Sequence, residues 1–447
     1  MCQHRPLGLP ALVLALAVAG GVTWWAETMV VAFAARRAEA VSALDVDIKS
    51  STLTLQRAAL ARADILPLYG SSELYCCGDP YRATQLFGSQ PTGFGVFAVG
   101  RPGSGSLTIA LTLGALGRSL RDRKVVVIDS PPWFFGAGVK RKAFDATFSP
   151  EIAEIFIFTA PVSLAVREAV ARQLLEYPET LADEPLLRAA VRALADPTAL
   201  HLAEYHALAP VGWVEAWAKR VRDASRTRQY LVRDPHVNRH PAAHTPAALA
   251  WAVLAERGTK MAIHRDTTNP FGFPDSEYTR LLRQGRIQDA LARYASGARE
   301  PAASDGSDET MATSPEWENL RLTLAILREL GAEPLVLSIP FPGYYDDFTS
   351  YSPSFRRAYY DRWERTVDSA GFPWLDFREA DEDPYFLTDI GAHFSPRGYV
   401  FANRALDMYW HGESIENIRL ALDTLRTAVP APAPPKAVEP GRWKGAE

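Results

Sequence analysis

Cysteine, basic runs and net charge are all scarce in this sequence of 447 residues. Lysines and arginines number 48 against 52 aspartates and glutamates, so the formal charge is only -4, and no long basic run appears. Nucleic-acid binding usually needs a basic stripe that neutralises phosphates, so the composition argues against such a partner. Apart from Cys2, the cysteines are the neighbours Cys76 and Cys77, whose spacing fits no common zinc site. Because a bond between adjacent cysteines closes a strained ring, we expect two thiols rather than a disulfide.

Signals for nucleotide and metal sites are equally weak. The turn from Gly100 to Ser106 is rich in glycine but lacks the lysine of a phosphate-binding loop. His236, His240 and His244 recur every four residues, as metal ligands on one face of a helix would, but Pro241 interrupts that helix. We therefore expect neither a nucleotide cofactor nor a metal.

A long apolar run is present at the N-terminus. No charged residue occurs from Leu7 to Ala26, and twenty helical residues match a hydrocarbon core of about 30 Å. Trp24 and Trp25 stand where an aromatic belt would fall, and Arg5 before the run favours a cytoplasmic N-terminus. We predict a transmembrane anchor over residues 7–34 of a single-pass protein of the inner (cytoplasmic) membrane, with a cleaved signal peptide as the alternative. Either places the bulk of the chain on the extracytoplasmic, periplasmic side.

Short apolar runs alternate with helical patterns and predict an α/β fold. Strands are predicted over residues 65–69, 95–100, 124–129, 333–339 and 374–377. The run from Lys124 to Asp129 is too apolar for a half-exposed strand, so it should be central and parallel. Repeated strand–helix–strand units imply right-handed crossovers and a doubly wound, mostly parallel sheet. The loops at residues 70–72, 100–106 and 129–133 should then converge at the C-terminal ends of the strands.

The α/β pattern is interrupted in the middle of the chain by long segments rich in alanine and leucine. We predict the first part of an α/β core over residues 45–135, a helical insertion and linker over 136–312, and the second part of the core over 313–412. Residues 413–447 form a tail, which its prolines predict to be disordered from about residue 429.

Chemistry is expected in the stretch Tyr69-Gly-Ser-Ser-Glu-Leu74, which follows the first strand. A serine at such a junction is either a nucleophile or an ordinary helix cap. Asp389 and His393 lie four residues apart, so the carboxylate can hold one tautomer of the imidazole and stabilise its charged form. Together the two stretches predict a serine nucleophile that is activated by a histidine and an aspartate.

The serine stretch also carries a family resemblance. Gly70-Ser-Ser-Glu-Leu74 resembles the serine block of the SGNH (GDSL-like) hydrolase superfamily, which makes Ser72 the nucleophile and puts Ser71 where an aspartate is usual. More narrowly, the chain resembles the D-alanyl-lipoteichoic acid biosynthesis protein family, DltD. Its matching stretches are Tyr69 to Leu74, Ser130-Pro-Pro-Trp-Phe134, Ser314-Pro-Glu-Trp-Glu318, Ile339-Pro-Phe-Pro-Gly343, and Asp383-Pro-Tyr-Phe386 with Asp389, His393 and Gly398-Tyr399.

This resemblance implies a three-layer α/β/α enzyme outside the cytoplasm. The resemblance also implies that the enzyme acts with a membrane-bound O-acyltransferase and a D-alanyl carrier protein. Together they would D-alanylate teichoic acid or an equivalent envelope polymer. Ser72 would carry or cleave the acyl group, His393 would be the base, and Asp389 would orient the histidine.

Further groups are expected around these three residues. The N–H groups of Ser72 and Gly103 should form an oxyanion hole, each donor contributing about 2.7–4 kcal/mol. The other residues expected at the substrate site are Ser71, Glu73 and Trp133. The aromatic side chains of Trp133, Phe134, Tyr344, Tyr345 and Phe348 either line an acyl pocket or pack in the core.

Two other functions fit the sequence. An O-acetyltransferase for an envelope or secreted polysaccharide would use the same serine chemistry with a different acyl donor. A non-catalytic scaffold would hold the membrane-bound O-acyltransferase without chemistry of its own. The scaffold interpretation rests on two departures from the family pattern. Three residues separate Asp389 from His393 where two are usual. The superfamily's Asn block, whose side-chain amide would be an oxyanion donor, is absent, since the stretch from Ser130 to Trp133 contains no amide side chain.

Overall fold

A parallel β-sheet forms the centre of the protein. The computed structural model describes residues 8–433 except 78, 238–245, 264–268, 272, 298–306, 350 and 392. Over these residues the sheet has five strands, in the order β2-β1-β3-β4-β5. The strands are β1 (Ile65–Gly70), β2 (Gly95–Gly100), β3 (Lys124–Asp129), β4 (Glu333–Ser338) and β5 (Trp374–Asp376). All four neighbouring pairs are parallel, so the predicted α/β class and parallel sheet are confirmed.

Both faces of the sheet are buried, which explains why its strands are continuously apolar. In β1, Ile65 and Tyr69 belong to the hydrophobic cluster on one face, whereas Leu66 and Leu68 belong to the cluster on the other. Strands β1 and β3 are neighbours at the point where the strand order reverses: β2 lies beyond β1, and β4 and β5 lie beyond β3. The C-terminal ends of β1 and β3 therefore flank the position where ligands bind in doubly wound sheets.

The helices of the first part lie before and between strands β1 to β3. They are α1 (Gly8–Ala35), α2 (Ala38–Ser42), α3 (Ile48–Ser51), α4 (Leu53–Leu60), α5 (Ala83–Ser89) and α6 (Ser106–Leu116). Helix α6 is buried all round, because it lies between the sheet and further helices on the same face.

The predicted N-terminal anchor over residues 7–34 is not supported. Over the described part of the chain, no helix has both the length and the apolar composition needed to cross a bilayer. Instead, the second half of α1 contacts the folded domain. Glu27 of this helix forms an ion pair of 2.6 Å with Arg57, and Trp217 Nε1 donates a hydrogen bond of 2.9 Å to Thr23 Oγ1.

The segment between β3 and β4 consists of helices joined by loops, and it contains no strand among its described residues. Its helices are α7 (Arg141–Thr147), α8 (Pro150–Thr159), α9 (Leu164–Leu174), α10 (Pro185–Ala195), α11 (Ala199–Arg233), α12 (Trp251–Ile263), α13 (Asp275–Arg283), α14 (Gln288–Ser296) and α15 (Ser307–Thr313). The buried side chains of α8, α9 and α10 join the same hydrophobic cluster as one face of the sheet. This segment therefore extends the central core.

The last helices, of which α16 directly precedes β4 and the others follow it, complete the two outer layers. They are α16 (Glu316–Leu330), α17 (Gly343–Asp346), α18 (Pro353–Ala370), α19 (Pro396–Trp410) and α20 (Ile415–Ala428). Helices α16 and α18 pack on the face covered by α6, and α12, α19 and α20 pack on the opposite face. Helices α16 and α18 end at glycines, and Gly331 and Gly371 adopt φ values of 69° and 76°.

The predicted C-terminal tail begins with an ordered helix, α20. The prolines after residue 429 do not predict this helix. After it, the carbonyl of Val429 accepts a hydrogen bond of 3.0 Å from Arg397 Nη2. The rest of the segment that is predicted to be disordered, residues 434–447, lies outside the described residues.

Candidate active site

The end of β1 delivers two serines into a tight turn. Ser71 follows the strand, and Ser72 begins a single 3-10 turn that ends at Leu74. Glycines end both β1 and β2 beside this turn: a Cβ at Gly70 would overlap Glu73 Oε1, and a Cβ at Gly100 would overlap the carbonyl oxygen of Gly70. The close approach of β1 and β2 at these glycines fixes where Ser72 stands at the edge of the sheet.

Ser72, His393 and Asp389 lie in one hydrogen-bonded row. His393 Nε2 is 2.8 Å from Ser72 Oγ, although the two residues are 321 positions apart in the chain. On the other side of the ring, His393 Nδ1 lies 2.9 Å from Asp389 Oδ1 and 2.8 Å from Oδ2. The carboxylate also accepts a hydrogen bond of 2.9 Å from the Gly391 N–H, which holds its loop in shape. An Nδ1–H tautomer leaves Nε2 free to accept the Ser72 proton.

The surroundings of His393 favour its protonated form. Burial by itself lowers the pKa of His393, but the hydrogen bond to Asp389 and the negative charges of Asp389, Glu73 and Glu277 outweigh burial. The pKa of His393 is therefore raised above 6.5. Glu277 belongs to α13, so the segment between β3 and β4 contributes charge to this site. No local sequence signal marks Glu277, because its proximity to His393 depends on packing.

We expect the NMR titration of His393 to have its midpoint above pH 6.5, because nearby negative charge stabilises the imidazolium. Asp389→Asn removes the hydrogen-bonded charge and should move the midpoint to lower pH. Glu277→Gln, which removes a more distant charge, is the matched control and should cause a smaller shift in the same direction. An unchanged midpoint in Asp389→Asn would contradict this account of the site.

Ser71 and Gly103 are engaged with each other. Ser71 Oγ donates a hydrogen bond of 3.2 Å to the Arg101 carbonyl and accepts one of 3.0 Å from the Gly103 N–H. These contacts bring together the loops after β1 and β2, which were predicted to converge. The Gly103 N–H, expected as an oxyanion donor, is directed at the Ser71 hydroxyl in this structure.

Glu73 lies beneath the serine turn, where its side chain is buried. Its carboxylate accepts hydrogen bonds from the Ser71 N–H and from Ser130 Oγ, the latter at 3.4 Å. Burial raises the pKa of Glu73, opposed by the Ser71 hydrogen bond and by the charge of His393. Glu73 thus ties the loop after β1 to the loop after β3. Its contacts are those of a residue that supports the turn.

A second buried acid lies at the end of β3. Asp129 accepts a hydrogen bond of 3.0 Å from Trp363 Nε1. Burial raises the pKa of Asp129 to about 7, opposed by the Trp363 hydrogen bond and assisted by the charges of Glu316 and Glu73. Asp129 is therefore held inside the protein behind the serine turn, and its hydrogen bond fixes the end of β3 against α18.

Most of the aromatic side chains predicted near the site pack in hydrophobic clusters. Phe134 is fully buried, with its ring centroid 4.5 Å from that of Trp317. Trp133 is half-buried at the edge of the same cluster. Tyr345 and Phe348 pack with α13 and α14 in a separate cluster, which also contacts Ile390. This second cluster supports the loop that carries Asp389 and His393.

Cys76 and Cys77 are joined by a disulfide, so the expectation of two thiols is wrong. The strain expected of a ring closed by adjacent cysteines does not exclude the bond in this pair. Of the three histidines considered as metal ligands, His236 follows the end of α11, and His240 and His244 lie outside the described residues.

Comparisons with known proteins agree with the resemblance in the motifs. A protein-family model described as "DltD protein" matches residues 45–411. Protein DltD of Bacillus subtilis (strain 168) is 24% identical over 358 residues, which cover 80% of this chain and 85% of the relative. Protein DltD of Staphylococcus aureus (strain NCTC 8325 / PS 47) is 23% identical over 347 residues, which cover 78% and 81%. Protein DltD of Lacticaseibacillus rhamnosus is 26% identical over 350 residues, which cover 78% and 77%.

Proposed function

This chain belongs to the DltD protein family, and we propose that it is a serine acyl-transfer or thioesterase-type enzyme in the D-alanylation of teichoic acid or an equivalent envelope polymer. The observation that carries the chemical part of this proposal is the row formed by Ser72, His393 and Asp389. Its two contacts of 2.8 Å, from Ser72 Oγ to His393 Nε2 and from His393 Nδ1 to Asp389 Oδ2, are those required of a nucleophile, a base and an orienting acid.

The reaction begins with attack of Ser72 Oγ on the carbonyl carbon of a D-alanyl thioester or ester. His393 Nε2 accepts the hydroxyl proton, and Asp389 stabilises the imidazolium that results. As the tetrahedral intermediate collapses, the bond to the leaving group breaks and His393 returns the proton to that group. The D-alanyl–Ser72 ester is then attacked by a polymer hydroxyl or by water, with His393 again acting as base.

The oxyanion of the intermediate needs donors at the edge of the sheet. We assign the Ser72 N–H as one donor, because it opens the 3-10 turn beside its own hydroxyl. The Gly103 N–H is the second candidate and becomes available only if its hydrogen bond to Ser71 Oγ opens. Ser71 then controls the second donor without touching the acyl group.

The proposed partners follow from family membership. A D-alanyl carrier protein and a membrane-bound O-acyltransferase would supply the activated acyl group, and the envelope polymer would accept it. The segment from α11 to α14 extends from the core to the site, since Glu277 of α13 acts on the pKa of His393. A partner bound to this segment would thus be able to change the charge around His393.

Mapping of the adduct that a fluorophosphonate probe forms with the full-length protein tests this proposal. We expect one adduct, on Ser72, because an activated serine hydroxyl attacks the phosphorus centre as it attacks an acyl carbon. D-alanyl and acetyl thioesters are then compared as donors, and acyl transfer from the D-alanyl donor alone is expected. The absence of any adduct, or an adduct on another serine, would overturn the mechanism.

A further inference from the structure

Cys76 lies directly beside the proposed catalytic row. Its N–H donates a hydrogen bond of 3.0 Å to the Ser72 carbonyl, so it stands one turn after the nucleophile. Its own carbonyl accepts a hydrogen bond of 3.0 Å from Tyr399, which fixes this turn against α19. As a result, a sulfur of Cys76, a ring nitrogen of His393 and a carboxylate oxygen of Asp389 lie within 4.8 Å of one another.

We propose that reduction of the Cys76–Cys77 disulfide opens a binding site for Zn²⁺ formed by Cys76, His393 and Asp389. The donor set selects this class of ion. Thiolate, imidazole and carboxylate are the ligands that zinc takes in proteins, at distances of about 2.0–2.3 Å, whereas magnesium and calcium require oxygen ligands. Three protein ligands on a half-buried surface leave a fourth position for water.

Cys77 has a different part in this site. It is exposed, and it does not belong to the group of three ligands. Its sulfur is bonded to that of Cys76, so the Cys76 sulfur is not available as a thiolate while the disulfide is intact. Cys77 therefore controls access to the metal site without contributing a ligand to it.

The chemistry consists of two separate steps. A protein dithiol, or a phosphine in the test tube, supplies two electrons that break the sulfur–sulfur bond. Each cysteine takes up one proton, while the dithiol becomes a disulfide or the phosphine becomes its oxide with oxygen from water. Zn²⁺ then displaces to the solvent the proton of Cys76 and, from an imidazolium, the proton of the ring nitrogen that it binds. Bonds form from zinc to the Cys76 sulfur, to that nitrogen of His393 and to the Asp389 carboxylate.

Zinc at this position should inhibit the enzyme, an inference that rests on the proposed function. The ion takes up the imidazole and the carboxylate that would otherwise form the base and its orienting partner. Ser72 then loses the group that accepts its proton. The protein would be active while the disulfide is intact, and it would be blocked by zinc after reduction.

Zinc binding by the full chain tests the metal site independently of catalysis. Cys2→Ser is introduced throughout, so that only the adjacent pair contributes thiols. We expect one Zn²⁺ per chain in equilibrium dialysis after phosphine reduction and at least tenfold weaker binding without it. Cys77→Ser should bind zinc with no reductant, and Cys76→Ser should bind at least tenfold more weakly in either state. Cobalt in place of zinc should give a thiolate charge-transfer band in the reduced protein.

Tight zinc binding by Cys76→Ser would overturn the metal site, and so would equal zinc binding by the oxidised and reduced proteins. The absence of the cobalt–thiolate charge-transfer band from the reduced protein, which keeps both Cys76 and Cys77, would also overturn the metal site. Labelling of Ser72 by the fluorophosphonate in Cys77→Ser should fall at least tenfold with zinc and recover with a chelator. If Ser72 is not labelled even without zinc, the proposed function fails, while the dialysis result still decides the metal site.

Discussion

Replacing Ser72 with alanine is expected to abolish fluorophosphonate labelling and to lower acyl transfer by a factor on the order of 10⁶, the loss typical of a removed serine nucleophile. The physical reason is that no other hydroxyl described near His393 Nε2 stands at the 2.8 Å held by Ser72 Oγ. Because the serine and histidine act as one unit, adding His393→Ala to Ser72→Ala should cause little further loss. Rates of D-alanyl transfer by the single and double variants measure both effects.

Ser71→Ala is the matched control, since it removes the neighbouring hydroxyl from the same turn. The probe should still label Ser72, because Ser71 Oγ is hydrogen-bonded to Arg101 and Gly103 and not to His393. A loss of labelling in Ser71→Ala with full labelling in Ser72→Ala would reverse the assignment of the nucleophile. Full D-alanyl transfer in Ser72→Ala would favour the non-catalytic scaffold.

Replacing Arg397 with alanine is expected to lower the free energy of unfolding by about 3–5 kcal/mol, as removal of one partner from a buried ion pair does. The Arg397 side chain is only 1% exposed and bonds to Asp383 at 2.6 Å. It also donates to Thr259 of α12 at 2.7 Å and to the Val429 carbonyl after α20 at 3.0 Å. Alanine would leave the buried Asp383 carboxylate without its cationic partner and would remove the contacts that join three segments at α19.

Urea denaturation of both proteins measures this difference, and Arg404→Ala on the same helix provides the control. Arg404 is 28% exposed and pairs with Asp407 at 3.5 Å. Its removal should cost less than the removal of Arg397, because the Arg404 guanidinium keeps more contact with water and its ion pair is longer. Equal losses in the two variants would show that burial does not set the contribution of Arg397.

Much of the sheet and its helices could be predicted because their signals are local. The five strands lie within one residue of their predicted bounds, since strands that are buried on both faces must be apolar along their length. Helices α16 and α18 end at glycines, a local signal as well, because the left-handed backbone there favours that residue. The convergence of the loops after β1, β2 and β3 follows from parallel strands and is confirmed by the hydrogen bonds from Ser71 to Arg101 and from Ser130 to Glu73.

Other expectations failed, or were incomplete, because they depend on distant neighbours. The apolar run at the N-terminus predicts a membrane span. In the structure, Glu27 of this helix forms an ion pair with Arg57, so the helix contacts the folded domain. Glu73 was expected to line the substrate site, yet its hydrogen bonds are made with buried partners beneath the serine turn. Local sequence does not reveal whether a side chain points into a cleft or into the interior.

The sequence by itself determined the class of fold, the family and the three residues in which chemistry is proposed, because these depend on periodicity and on short motifs. Only the tertiary structure decided what surrounds those residues. It brings Cys76 within reach of His393 and Asp389, and it places the charge of Glu277 near the same imidazole. The physical reason is that electrostatics and metal ligation depend on distance in space, which the packing of remote segments sets and which no local pattern records.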